Sequence, residues 1–371
     1  MKVSWDHVYA WRMRRQYLDP RTTQGASAIV GRLCGVQAQV WNAAELAVAL
    51  RQSTPAPDSV DRDFADRSLM KTWAMRGALH LLPPSQAPAY LSLMETTGFW
   101  LKPSWQRVSG VTPRQVDALT EKVAGILDGA VLTRDQLVTR LMADTGFKSM
   151  EESLRSGWGQ VLKPLAWRGV LCHGAPQGNQ ITFTSPASQY PTWGTMPAPD
   201  EAAPVVISAY LGAYSPATAE VFDRWLSRGS TSKPRLRRWF ADIGDKVTEV
   251  DVEGRKALML TEHVDELADI AAWKGLRLLG GFDQYILGPG TTDDVLIPAR
   301  HRGLVSRAAG WISPIVVVNG RVVGVWQILD QEIVVTAFPG SARMPLKQLE
   351  AEALHVARAR GLNALSVRIT D

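Results

Sequence analysis

Short capped helices that run into a pair of short strands recur three times in the first 270 residues, and this recurrence restricts the chain more than any other feature. In the first unit an alanine-, leucine- and valine-rich stretch over about 27–50 reads as one helix, capped by Thr23 or Ser27. Leu33, Val36, Val40, Ala43, Ala44 and Ala47 recur along it at helical spacing, as an internal face requires. LMKTWAMRGALHLLPP then alternates around Trp73, Met75, Ala78 and Leu79, which predicts a β-hairpin with Gly77 at its turn.

The second unit opens at Thr112 with a capping threonine and Pro113 in the first helical turn, continues in a capped helix over 133–144, and has a third helix over 151–168. Pro164 falls inside that third helix, where proline disrupts regular geometry. VLCHGAPQGNQITFTSP follows as two strands around a glycine-rich turn, and three short helices closed by a hairpin make the winged-helix arrangement. Prolines 191, 197, 199 and 204 mark a linker. The third unit runs from VVISAYLGAYSPATAEVFDRWLS, with a helix start at Ser215-Pro216, through basic KPRLRRWFADIG to a strand pair. No fixed sequence period joins the three units.

The last hundred residues are strand-rich. Asn319-Gly320 between WISPIVVV and RVVGVWQIL is a strong type I′ hairpin signal, and a helix over 346–360 leads into ALSVRI. The expected fold is α+β: units of helices and a strand pair at 1–108, 109–190 and 203–270, then a mostly β, barrel-like module at 271–371.

Several function classes drop out on composition. No run of 18 apolar residues and no signal-peptide pattern occurs, which predicts a cytoplasmic protein without a membrane partner. Cys34 and Cys172 are the two cysteines, and the six histidines show no metal spacing, so neither a disulfide framework nor a metal site is expected. Phosphate-binding, dinucleotide-binding and nucleophile-elbow motifs are absent. The 41 basic against 36 acidic residues permit a polyanionic partner without demanding one.

Two polar features stand out. Gln37 follows Val30, Leu33 and Cys34 at helical intervals, so on residues alone it reads as a structural carboxamide and Gln39 as a solvent-facing one. Residues i and i+2 lie about 200° apart on a helix, so their convergence on one cleft needs a local irregularity. Residues 224–238 hold six Lys or Arg and no acid, and Arg12, Arg14 and Arg15 form a smaller cluster; both suit phosphates, or an ordinary solvated face. Most of the 14 tryptophans read as core, and some as bases' stacking partners.

GVQAQ, TWAMRGALHLLPP, AYLGAYSPAT and GWISPIVVVNGRVVGVWQ, in this order over nearly the full chain, resemble the bacterial AlkZ-like winged-helix DNA glycosylases. The resemblance implies three tandem winged-helix domains and a C-terminal β-barrel in a concave, C-shaped molecule, with double-stranded DNA bearing alkylated purines or interstrand crosslinks as partner. It implies unhooking of azinomycin B crosslinks by a nucleoid-associated, monofunctional glycosylase, with no cofactor, no metal and no obligatory protein partner. The catalytic pair falls on Gln37 and Gln39. Relatives acting on simpler adducts carry aspartate at the second position, so carboxylate-assisted hydrolysis does not transfer. Within that reading Arg76 and His80 are candidate duplex contacts, with structural hydrogen bonding equally open, and Arg235, Arg237 and Arg238 are phosphate contacts. A non-catalytic winged-helix regulator or damage-binding protein is the alternative, and an antibiotic-sequestering protein a third.

Overall fold

The computed structural model describes residues 1–370. The expected helix over 27–50 is two helices with a strand between them. Helix α1 spans Trp5–Arg15, α2 Ala26–Arg32 and α3 Trp41–Ala49. After α2 the Gly35 amide bonds back to the Val30 carbonyl at 2.9 Å and the Cys34 amide to Gly31 at 3.2 Å, with Cys34 left-handed at φ 57°. This double closure is the Schellman stop. Gly35 sits at φ +94°, where an added Cβ would lie 3.1 Å from the Leu81 carbonyl, so only glycine fits. Released from the helix, the chain extends into β2, Val36–Gln37.

Three sheets follow. The largest has the order β2-β4-β3-β6-β7-β5, with β3 at Met70–Trp73, β4 at Leu79–Leu82, β5 at Val131–Thr133, β6 at Cys172–Gln177 and β7 at Gln180–Thr184. It joins the hairpin of the first unit to that of the second through one residue pair, Lys71 opposite His173. In the second sheet β1, Lys2–Val3, lies parallel to β8, Val247–Val252, which pairs with β9, Arg255–Leu260. The first residues of the chain thereby complete the third unit. The largest hydrophobic core runs from Cys34 to Leu260 and unites all three.

No sheet closes into a barrel, which corrects the expectation for the C-terminal module. Its five strands, β10 (Leu276–Leu279), β11 (Ile315–Val318), β12 (Arg321–Leu329), β13 (Glu332–Ala337) and β14 (Ser366–Thr370), form an open sheet in chain order. β14 joins parallel to β13 after the helix Leu346–Ala359. A parallel neighbour needs such a crossover, and Leu349, Ala353 and Val356 of that helix seal the sheet face against Leu278, Val316 and Val335. A covered face removes the need for closure. Asn319 and Gly320 take φ 50° and 86° as the hairpin turn between β11 and β12.

Three further expectations change. The helix over 151–168 is two pieces, Glu151–Arg155 and Lys163–Trp167, with Pro164 in the first turn of the second, where proline costs nothing. The linker ends at residue 198, because the helix Pro199–Tyr214 contains both Pro199 and Pro204. The next helix starts at Ala219 under a Thr218 cap, not at Ser215-Pro216. Arg12 is no phosphate ligand: it is 2% exposed and donates to the carbonyls of Tyr214, Ser215 and Pro216.

One ion pair ties the two halves of the molecule together. Arg51, just after α3, meets Asp283 in a bidentate contact with both N–O distances 2.8 Å, and neither side chain is exposed. Arg51 also donates to the carbonyls of Gln16 and Ala47, and Asp283 caps the helix Gln284–Leu287 through the Tyr285 amide. Few of their hydrogen-bonding positions go unused, as a buried charge pair requires.

Candidate functional site

The site is built where β2 meets the hairpin. Gln37 pairs with His80, and His80 with Thr72, so these three side chains share one face across three strands. The ladder continues one residue further, with the Ala38 amide donating to Leu79 at 2.7 Å. β2 ends at Gln37, and the chain then bends through Gln39 and Val40 into α3, with Gln37 half-buried and Gln39 exposed. The helical reading is thereby broken at both glutamines.

At the hairpin tip Arg76 is left-handed at φ 59°, followed by Gly77 at φ 67°. A non-glycine residue in that region carries strain that its surroundings must offset. The guanidinium provides the offset: Nη1 donates to the Trp225 carbonyl at 2.7 Å and Nη2 to Gln37 Oε1 at 3.2 Å. Arg76 thus bridges the first unit to the helix Ala219–Ser227 of the third and fixes the Gln37 carboxamide. Its donors leave no doubt about which end of the amide faces it, and Gln37 Nε2 is left as a free donor.

Burial pushes Arg76 down to about 10, with nearby Arg228 adding repulsion, so it stays cationic at neutral pH. Burial, reinforced by the Arg76 charge, lowers His80 to about 3, so its ring is neutral. His80 Nδ1 lies 3.0 Å from the Ala78 carbonyl, which places the proton there, and Nε2 has no partner among the described residues. His80 is fully buried, so the duplex contact expected from the sequence is not open to it.

Gln39 is exposed and makes no side-chain hydrogen bond among the described residues. Lys163 approaches the Gly77 backbone: its Nζ lies 4.0 Å from where a Cβ would sit. Arg228 is close enough to depress Lys163 in addition to burial, and neither cation has a carboxylate partner among the described residues. Sequence reading missed Lys163, since a lysine before a proline carries no signal. The three arginines of the helix Lys233–Ala241 divide. Arg238 holds Asp200 at 2.6 and 2.7 Å, Arg235 donates to the Thr96 carbonyl at 3.3 Å, and Arg237 is exposed without a partner among the described residues. No three His, Cys, Asp or Glu side chains gather as a metal site among the described residues.

Helical units closed by hairpins, with two carboxamides and surplus cations at the first hairpin, define a winged-helix protein with a cationic polar site. The family model described as DNA glycosylase AlkZ-like matches residues 30–360, and the chain belongs to that family. It is 70% identical over 370 residues to an interstrand DNA cross-link repair glycosylase of Streptomyces sahachiroi, with 100% of both chains covered. The solved structure of the Streptomyces sahachiroi DNA glycosylase AlkZ is similar throughout, with a TM-score of 0.98, 70% identity and 100% of both chains covered.

Proposed function

We propose that this protein is a monofunctional DNA N-glycosylase that releases N7-alkylated purines and unhooks interstrand crosslinks, those of azinomycin B included. The observation that carries the reading is Gln37 at the end of β2, clamped by Arg76, with exposed Gln39 two residues on. An N7-alkylated purine is a cationic, activated leaving group, so the enzyme's task is to place water at C1′ and to stabilise the sugar's growing positive charge. Gln37 Oε1 already serves Arg76, which leaves Nε2 to donate to the sugar or backbone. Gln39 Oε1 has no internal partner and is the better acceptor for the attacking water. Neither amide titrates near neutrality, so the pair works by positioning and preorganisation. The scheme uses water as the nucleophile and no Schiff-base lysine, so the product is an intact abasic site.

In this reading the units at 1–108, 109–190 and 203–270 handle the duplex, and 271–371 buttresses α3. The enzyme works in the cytoplasm on nucleoid DNA; no helix among the described residues is long and apolar enough to cross a membrane. Incubating the protein with a defined azinomycin-crosslinked duplex, without metal or nucleotide, should yield free alkylated base and an abasic site by mass analysis. Tight binding with no base released would establish the non-catalytic alternative instead.

Arg237 is the phosphate contact that its helix keeps free. Arg237→Gln should weaken binding to all duplex sequences and lower the slope of log affinity against log salt by about 0.9. Arg238 must give up Asp200 before it can hold a phosphate, so Arg238→Gln should change the slope less. Anisotropy titrations at several salt concentrations measure both, and an unchanged slope for Arg237→Gln removes it from the binding surface.

A further inference from the structure

The turn at 156–162 presents Trp158 at 82% exposure, more than any other large apolar side chain among the described residues. Single exposed apolar residues are common, but this one is mounted on a rigid base. Arg134 Nη1 donates to the carbonyls of Leu154 and Ser156 at 3.1 and 2.9 Å. The Gly159 amide closes onto Ser156 at 3.2 Å, and the Leu162 and Lys163 amides both bond to the Gly159 carbonyl at 3.0 Å. Gly159, at φ +61°, lies directly on the Trp73 indole, where a side chain would overlap the ring. Trp73 is itself packed on Phe183 and His173 and stands three residues before Arg76. Gly157 and Gly159 flank Trp158, so the backbone beside the indole is bare. Lys163 follows directly as the first residue of the helix Lys163–Trp167, with its Nζ beside the Gly77 backbone, and the positive charge of Arg228 bears on it from the third unit.

We infer that this turn is a duplex-reading finger, with Trp158 stacking on a base step beside the lesion and Lys163 and Arg228 holding the flanking phosphates. The inference rests on the glycosylase reading for its substrate. An indole face stacks on any base, which suits a site that must follow the lesion and not the sequence. Insertion requires unstacking, and a damaged step resists it least. The two cations lack internal carboxylates and are therefore available to a polyanion.

The test uses the whole chain and a duplex carrying a tetrahydrofuran abasic analogue beside 2-aminopurine, which no glycosylase can cleave. Beside the abasic analogue 2-aminopurine is partly unstacked and bright, so binding of the parental protein should quench it as the indole stacks. Trp158→Ala should abolish the quenching, and Trp158→Phe should keep part of it. On a duplex with N7-methylguanine, Trp158→Ala should slow base release about 5- to 150-fold, the span of one lost base–aromatic stack. Lys163→Gln and Arg228→Gln should each lower the salt slope by about 0.9. No quenching by the parental protein, or equal quenching by Trp158→Ala, overturns the stacking, and unchanged slopes overturn the phosphate contacts. Failure of the glycosylase reading shows separately, as no base release by the parental protein from the cleavable duplex. Trp158 is too exposed for its loss to unfold the chain.

Discussion

Gln37→Ala should lower single-turnover release of an alkylated purine by about 10²- to 10³-fold while leaving duplex affinity nearly unchanged. That magnitude is borrowed from the loss of one preorganised hydrogen bond at other active sites; here the contact positions the sugar and backbone for attack. The geometry makes the prediction sharper than a simple truncation. Gln37→Glu keeps size and shape, but sets a carboxylate against the Arg76 guanidinium and removes the Nε2 donor, so it should be as slow as the alanine variant. Arg76→Lys keeps the charge and loses the fork that reaches Trp225 and Gln37 together, since a lysine is a point donor. It should lose rate with its fold intact. Gln37→Glu retaining parental release, with unfolding midpoints unchanged across the set, would sink the donor role.

Asp283→Ala should destabilise the protein by about 3–5 kcal/mol in urea titration, because it leaves the Arg51 charge buried without its partner. Arg51→Met with Asp283→Leu should recover much of that loss, since an apolar pair carries no desolvation cost. α3 ends just before Arg51 and begins two residues after Gln39, so this pair anchors the far end of the helix that leaves the carboxamide site. Base release should therefore fall in Asp283→Ala even at temperatures where the protein stays folded. A cost near 1 kcal/mol would mean that water reaches the pair.

The hairpin over 73–80, the Asn319-Gly320 turn and the capped helices at Thr112 and Thr133 were legible because each depends on local chemistry: glycine in left-handed turns, threonine at helix starts. The site was legible as residues and not as geometry. Apolar spacing through 27–50 fits a helix, yet Gly35 outweighs it by closing α2, and the strand that results pairs Gln37 with His80 and leaves Gln39 exposed in the bend before α3. The glycine was visible; its effect depends on Leu81 and Leu82, which come from 46 residues further along. Arg76 stays open between duplex contact and structural hydrogen bonding for the same reason, because Trp225 lies 149 residues away. Barrel closure failed as an expectation because strand count says nothing about a helix that covers one face.

The pairing of β1 with β8 sets an order on assembly during synthesis. Residues 2 and 3 leave the ribosome about 250 residues ahead of their partners at 251 and 252. At roughly 5–20 residues per second that is a wait of about ten to fifty seconds. Through that interval α1 has no third unit to lie against, and Arg12 has no carbonyls of 214–216 to fill. A nascent chain therefore carries its glutamine motif long before Trp225 arrives to brace Arg76 over it. The assembled site belongs to a chain translated past its third unit, and a truncated product would hold the motif without the brace.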